Sequence, residues 1–190
     1  MNLKKEQIMK SKYDLIKHFA ELGFTIGAEV GVSMGYLSEA MFKAIPNLKL
    51  YCVDVWDYYN NNRWSASERK NALYYRRACT KLAPYNSELI KDTSMSAVRR
   101  IPDESLDFVY IDSNHSFDYV MEDLINWSKK VKKGGIVSGD DYYHFGGAGV
   151  VEAVDAYAKA HKIEVQLTDP YPDIMDRGFH EKPSFYWIKK

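Results

Sequence analysis

The sequence predicts an α/β fold: a doubly wound, mostly parallel sheet of seven strands with helices on both faces. Three observations predict it. Short apolar runs alternate with amphipathic helical stretches, the connections between them are short, and acids close four successive runs at Asp54, Asp92, Asp112 and Asp140. Strand-helix alternation with short crossovers marks parallel strands covered on both sides. Such sheets take ligands beyond the carboxyl ends of their strands, so the four aligned acids are the main functional signal.

The elements follow in order. Ile8, Leu15, Ile16, Phe19 and Leu22 recur at helical spacing and Gly23 follows where a helix ends, so residues 1–24 carry an amphipathic helix that covers one face of the sheet. Ile26 to Val30 reads as the first strand, Tyr36 to Ala44 as its helix, and Leu48 to Val53 as the second strand, ending at Asp54. Val55 to Glu68 is aromatic and polar with no clear period, and is expected to form a loop or lid. Ser67 to Leu82 reads as a helix, Glu88 to Ile90 as a short third strand and Ser94 to Arg100 as a short helix. Leu106 to Ile111 suits a buried central strand, and Phe117, Val120, Met121, Leu124, Ser128 and Val131 mark one face of the helix after it. Gly134 and Gly135 then turn the chain into a fifth strand, Ile136 to Ser138. A helix carrying Val150, Val154, Tyr157 and His161 and two last strands, Ile163 to Leu167 and Phe185 to Ile188, complete the chain.

With 190 residues and no Pro/Gly/Ser-rich linker, residues 1–190 read as one domain. Acidic and basic residues balance at 26 each, so the overall charge calls for neither nucleic acid nor an anionic membrane, and the expected partner is a small molecule. Cys52 and Cys79 lie in a strand and a helix without disulfide or CxxC spacing, as expected of buried thiols in a reducing compartment. No apolar run approaches the roughly 18 residues of a membrane span, and the expected location is cytoplasmic.

The chemistry starts at Glu29-Val-Gly-Val-Ser-Met-Gly35, where a strand breaks into a glycine turn before a helix N-terminus. Gly31 and Gly35, with small Ser33 between them, allow a ligand close to the backbone. Glu29 has no use in a phosphate cradle but suits a ligand carrying an ammonium or hydroxyls. Asp54, after the second strand, is placed to accept hydrogen bonds from a ribose diol. The spacing G-x-x-x-G lacks the full dinucleotide fingerprint, which argues against NAD and leaves a nucleoside open. A structural glycine turn with Asp54 as a solvated loop acid is the plainer alternative. Asp112, Asp140 and Asp141 would repel one another unless a divalent cation joins them, and hard oxygen donors favour Mg²⁺ or Ca²⁺. The plainer alternative has Asp140 capping its turn and Asp141 facing solvent. His115, three residues after Asp112, is a candidate general base and competes with the metal for that role. His144 is a weaker candidate; His18, His161 and His180 suit surface or packing roles.

These motifs resemble a known family. Glu29-Val-Gly-Val-Ser-Met-Gly35 is similar to the first motif of class I S-adenosylmethionine-dependent methyltransferases, and Val53-Asp54 to their second. Tyr110-Ile-Asp-Ser-Asn-His-Ser-Phe-Asp-Tyr119 and Lys133-Gly-Gly-Ile-Val-Ser-Gly-Asp-Asp141 resemble segments of small O-methyltransferases related to the macrocin and catechol enzymes. The likeness spans roughly residues 25 to 160. It implies a Rossmann-like sheet, with Glu29, Gly31, Ser33 and Gly35 holding the methionine part of S-adenosylmethionine, Asp54 the ribose, and Asp92 with Thr93 the adenine edge. It further implies that Asp112 touches the cofactor and acts with His115 in catalysis, and that Asp112, Asp140 and Asp141 hold Mg²⁺ and activate an acceptor hydroxyl. Ser113-Asn114 and Phe117 depart from the commonest Gly- and Tyr-containing forms of these segments.

The resulting expectation is methyl transfer from S-adenosylmethionine to a hydroxyl of a small molecule. A metal-independent methyltransferase with His115 as base and a non-catalytic nucleoside-binding module are the rivals. The Trp56 to Trp64 stretch is expected either to close over the ligands or to pack against a second copy of the chain, as in a homodimer.

Overall fold

The computed structural model describes residues 9–57, 67–168 and 182–190. Most of the aromatic stretch expected to form a lid (58–66), Ile8 and His180 lie outside them. Seven strands form one sheet in the order β3-β2-β1-β4-β5-β7-β6. They are β1 (Ile26–Val30), β2 (Lys49–Asp54), β3 (Ser87–Lys91), β4 (Leu106–Ile111), β5 (Val131–Gly139), β6 (Gln166–Leu167) and β7 (Phe185–Ile188). Pairing is parallel from β3 through β5, whereas β7 runs antiparallel to both β5 and β6. The doubly wound, mostly parallel, Rossmann-like α/β sheet is therefore present.

The strand period divides the core. On β4, Phe108 and Tyr110 pack with Leu15, Phe19, Met41 and Leu82, while Val109 and Ile111 pack with Val120, Leu124, Val154 and Trp187. Helices α1 (Lys12–Glu21), α2 (Tyr36–Ala44) and α3 (Glu68–Leu82) thus cover one face. Helices α4 (Ser94–Ala97), α5 (Phe117–Lys130) and α6 (Val150–His161) cover the other. Alternate residues of one strand feed two cores, as a sheet buried on both sides requires.

Most bounds agree with the sequence reading within a residue, and the larger differences lie in α5, β5 and β6. Helix α5 ends at Lys130, and Val131 joins β5, where it pairs with Leu106 before a register shift leads to Phe108 and Ile136. The exposed Lys132 and Lys133 and the glycine pair hide that strand from any periodicity. Helix α5 also buries Asp123 and Trp127 rather than Phe117, which is 41% exposed. Strand β6 is only two residues long because Ile163 is used to close α6, its N–H donating to the Ala158 carbonyl.

The strand ends align as expected. Asp54 closes β2, and Asp92, Asp112 and Asp140 follow β3, β4 and β5 at the same edge of the sheet. At the crossing of β1 and β4, Gly31 has φ +101°, and a Cβ there would overlap the Asp112 carbonyl oxygen. Gly31→Ala is therefore expected to lower stability by about 2–4 kcal/mol, read as a fall in the urea midpoint. An unchanged midpoint would show that the turn has room the geometry denies it.

Candidate active site

The glycine turn and the loop after β2 are stitched together by Asp54. One carboxylate oxygen accepts the Ser33 N–H at 2.7 Å and the other accepts the Trp56 N–H at 2.9 Å. The Trp56 indole N–H returns a bond to the Ser33 carbonyl at 2.7 Å. The Val32 and Val55 N–H groups also bear on this carboxylate, so it is an anion ringed by backbone donors at the lip of the glycine turn. Burial raises the Asp54 pKa against the pull of these N–H groups.

Asp92 is more fully used. It accepts the Thr93 N–H at 2.8 Å and the Ser96 hydroxyl at 2.9 Å, and pairs with Arg100. The Ser96 hydroxyl, the Thr93 N–H and Arg100 hold its carboxyl below the usual range. Thr93 caps α4, its side chain accepting the Ser96 N–H.

These groups line a cavity of about 520 Å³ at the carboxyl ends of the strands, which also takes in Gly31, Asp112, Ser113, His115 and Asp123. Six acids, Asp54, Asp57, Asp92, Asp112, Glu122 and Asp123, and neither Lys nor Arg, occur among its described lining residues. Glu29 and Gly35 are not among them. Glu29 is 1% exposed and accepts the Ser38 hydroxyl of α2, while Gly35 caps that helix in the left-handed conformation.

At one end of the cavity, His115 Nε2 lies 3.4 Å from Asp112 Oδ1 and 3.3 Å from Asp141 Oδ2. One donor atom from each of the three falls within 4.8 Å of the other two, a spacing that fits a single cation. Asp140 is absent from that group. Its carboxylate receives Lys12 Nζ at 2.8 Å and the Ser184 hydroxyl at 3.0 Å, so the first helix draws it away and His115 takes its place. Burial pushes the Asp112 pKa up to about 6, with the Asp140 and Asp141 charges adding to the rise against the His115 hydrogen bond. Burial opposes charge on His115, but Asp112, Asp141 and Asp140 outweigh it and raise its pKa.

His144 is exposed and pairs with Glu152, His18 pairs with Glu21, and His161 stacks on Tyr157. Two groups escaped the sequence reading. Lys12 gave no local signal, whereas Asp123 did: it is an acid within the apolar face formed by Val120, Leu124 and Trp127.

A family model described as a methyltransferase domain matches residues 26–142, the span from β1 to just past Asp141. The chain belongs to this methyltransferase family. It is a class I enzyme of the S-adenosylmethionine-dependent kind. Solved structures similar to this methyltransferase include the O-methyltransferase NovP, with a TM-score of 0.65 and 19% identity over 94% of this chain and 79% of that one. Another is the O-methyltransferase TomG from Streptomyces achromogenes, involved in tomaymycin synthesis and solved with S-adenosylmethionine (TM-score 0.64, 16% identity, 94% and 80% covered). The cofactor-bound Rv0187 from MTB has a TM-score of 0.67 at 10% identity, with 100% and 84% covered. At such identities the likeness is one of fold. No curated protein matches the methyltransferase in sequence. No helix among the described residues is long and apolar enough to cross a membrane.

Proposed function

We propose that the protein methylates a hydroxyl group of a small molecule, using S-adenosylmethionine and a divalent cation. The observation that carries this reading is the acid-lined cavity, with neither Lys nor Arg among its described lining residues, which ends at Asp112 and His115 beside Asp141. A nucleotide phosphate would face uncompensated carboxylates there. A ligand with a sulfonium and an ammonium meets complementary charge. Asp54 presents its carboxylate to the cavity, where it suits the ribose hydroxyls, the Gly31 to Ser33 turn lies against the same part of the cavity, and Glu29 stands behind it as a buried acid.

When bound, the cofactor supplies an electrophilic methyl group, and a cation supplies a positive charge that lowers the pKa of a coordinated hydroxyl. The chain's own work is to hold the reactants. Asp112 and Asp141 contribute oxygen donors and His115 a nitrogen; the oxygens suit Mg²⁺ and the imidazole extends the range to Mn²⁺ or Zn²⁺. The acceptor O–H gives up its proton to solvent, and as the new C–O bond forms the C–S bond breaks and S-adenosylhomocysteine leaves as a neutral thioether. The position of His115 between two carboxylates favours one second reading, in which the imidazole itself takes that proton without metal. The criterion separating the two is dependence on added metal.

The test is transfer of a labelled methyl group from S-adenosylmethionine to a panel of phenols, sugars and hydroxylated peptides, with Mg²⁺, Mn²⁺ or EDTA. Activity abolished by EDTA and restored by metal supports the metal reading, and activity indifferent to EDTA supports His115 as base. Failure to bind S-adenosylhomocysteine would sink both. Asp141→Ala is expected to lower turnover by about 100-fold or more while leaving S-adenosylhomocysteine affinity within about threefold. Calorimetry with Mn²⁺ reads the metal site independently of turnover.

A further inference from the structure

Asp123 projects from the middle of α5 into the wall of the cavity, although only 2% of the residue is exposed. Its two carboxylate oxygens are held by hydroxyls from two different segments, the start of α4 and the loop after β4. Ser94, after β3, donates to one, and Ser113, after β4, donates to the other at 2.5 Å. The direction of the first bond is fixed. The Trp127 indole N–H can only donate, and it donates to the Ser94 oxygen at 2.8 Å, leaving the Ser94 proton for Asp123. In the sheet β3 and β4 are separated by β2 and β1, so Asp123 ties the start of α4 to the loop after β4 at the cavity wall.

A carboxylate has about four acceptor positions, and these two hydroxyls fill two of them. Both serine protons are already directed at Asp123, so whatever meets its remaining positions must itself be a donor. Asp92, the acid expected at the adenine edge, already holds the Thr93 N–H, the Ser96 hydroxyl and Arg100. Asp123, with two donors, keeps two acceptor positions open, whereas Asp92, with three, keeps one and is already paired with a cation. An adenine ring offers one donor on its edge, the exocyclic amino group.

We propose that Asp123 is the specificity-determining residue that accepts a hydrogen bond from the exocyclic amino group of the cofactor's adenine, with Ser94 and Ser113 holding its carboxylate in place. This rests on the S-adenosylmethionine reading above. Burial raises the Asp123 pKa to about 6, against the two serine bonds, so the group is an ionised acceptor at neutral pH. An inosine ring, which carries a carbonyl oxygen where adenine carries the amine, turns an acceptor toward the carboxylate.

The experiment compares calorimetric affinities for S-adenosylhomocysteine and S-inosylhomocysteine in the wild type, Asp123→Asn and Asp92→Asn. The wild type is expected to prefer the adenosyl compound by about tenfold or more, Asp92→Asn to keep that ratio, and Asp123→Asn to bring it within about threefold because the amide can donate to the carbonyl. A ratio unchanged in Asp123→Asn, or one lost in Asp92→Asn instead, overturns the assignment. Binding of neither compound by the wild type defeats the cofactor reading itself, an outcome distinct from binding both equally, which defeats Asp123 alone. Should Asp123→Asn fail to fold, a crystal structure of the wild type with S-adenosylhomocysteine decides. An adenine amino nitrogen within about 3.2 Å of an Asp123 oxygen supports the assignment, and one beyond about 4 Å overturns it.

Discussion

Asp54→Ala is expected to weaken S-adenosylhomocysteine binding by about 100-fold and to lower the stability of the ligand-free protein at the same time. Hydrogen bonds to a charged acceptor contribute about 1.5–3 kcal/mol each, so losing two ribose hydroxyl bonds removes about two decades of affinity. The stability cost has a separate origin. Asp54 receives the Ser33 and Trp56 N–H groups, and the Trp56 indole in turn reaches the Ser33 carbonyl, so one side chain closes the glycine turn onto the loop after β2. Alanine leaves both N–H groups without that acceptor, at a cost on the order of 1–3 kcal/mol. Calorimetry and thermal melting read the two effects independently. A variant that melts earlier but binds S-adenosylhomocysteine normally would make Asp54 a structural clamp and remove it from the ligand site.

Much of this arrangement is legible in the sequence because it follows from local period. Helix α2 and strand β4 have the bounds that their apolar spacing gives, and a strand of known length places its closing acid at the sheet edge, as at Asp54 and Asp112. What is not legible depends on partners distant in the chain. The Lys12–Asp140 pair joins residues 128 positions apart, and nothing in the tripeptide Gly139-Asp140-Asp141 tells which acid turns to the first helix and which to His115. Strand β5 is hidden for a related reason: its first residues pair with β4 through a register shift, so no simple alternation survives from Val131 to Ile136. Asp123 is the intermediate case. Its place on an apolar helix face is visible in the sequence, but the two serines that make it useful come from segments after different strands.

The stability of the ligand-free protein is expected to fall as pH rises from about 5 to 9, and Glu29→Gln is expected to remove the upper part of that slope. Burial pushes the Glu29 carboxyl up to about 8, and the Asp112 and Asp54 charges add to the rise, against the Ser38 hydroxyl and Lys12. A carboxyl raised in the folded state favours folding fully below its unfolded value, near 4.5, and loses that contribution as pH climbs through its folded value. Asp112 and Asp123, both raised to about 6, act in the same direction, but their share is largely lost before pH 8. The remaining slope between pH 7 and 9 belongs chiefly to Glu29, about 1.4 kcal/mol for a single carboxyl with a folded value of about 8, or about 3–5 °C in melting midpoint. Glutamine is neutral at every pH and still offers an acceptor to Ser38, so the variant should match the wild type near pH 5 and melt later near pH 9. The same carboxyl gives the cofactor reading a sharp consequence. The amino-acid ammonium brought near Glu29 lowers its pKa, so S-adenosylhomocysteine binding at pH 8, roughly the ligand-free midpoint, should release part of a proton. That release appears as a binding heat that changes with the ionisation enthalpy of the buffer and disappears in Glu29→Gln. If the heat is independent of buffer while the stability slope follows the prediction, Glu29 serves only to join β1 to α2 through Ser38, and the methionine end lies elsewhere in the cavity.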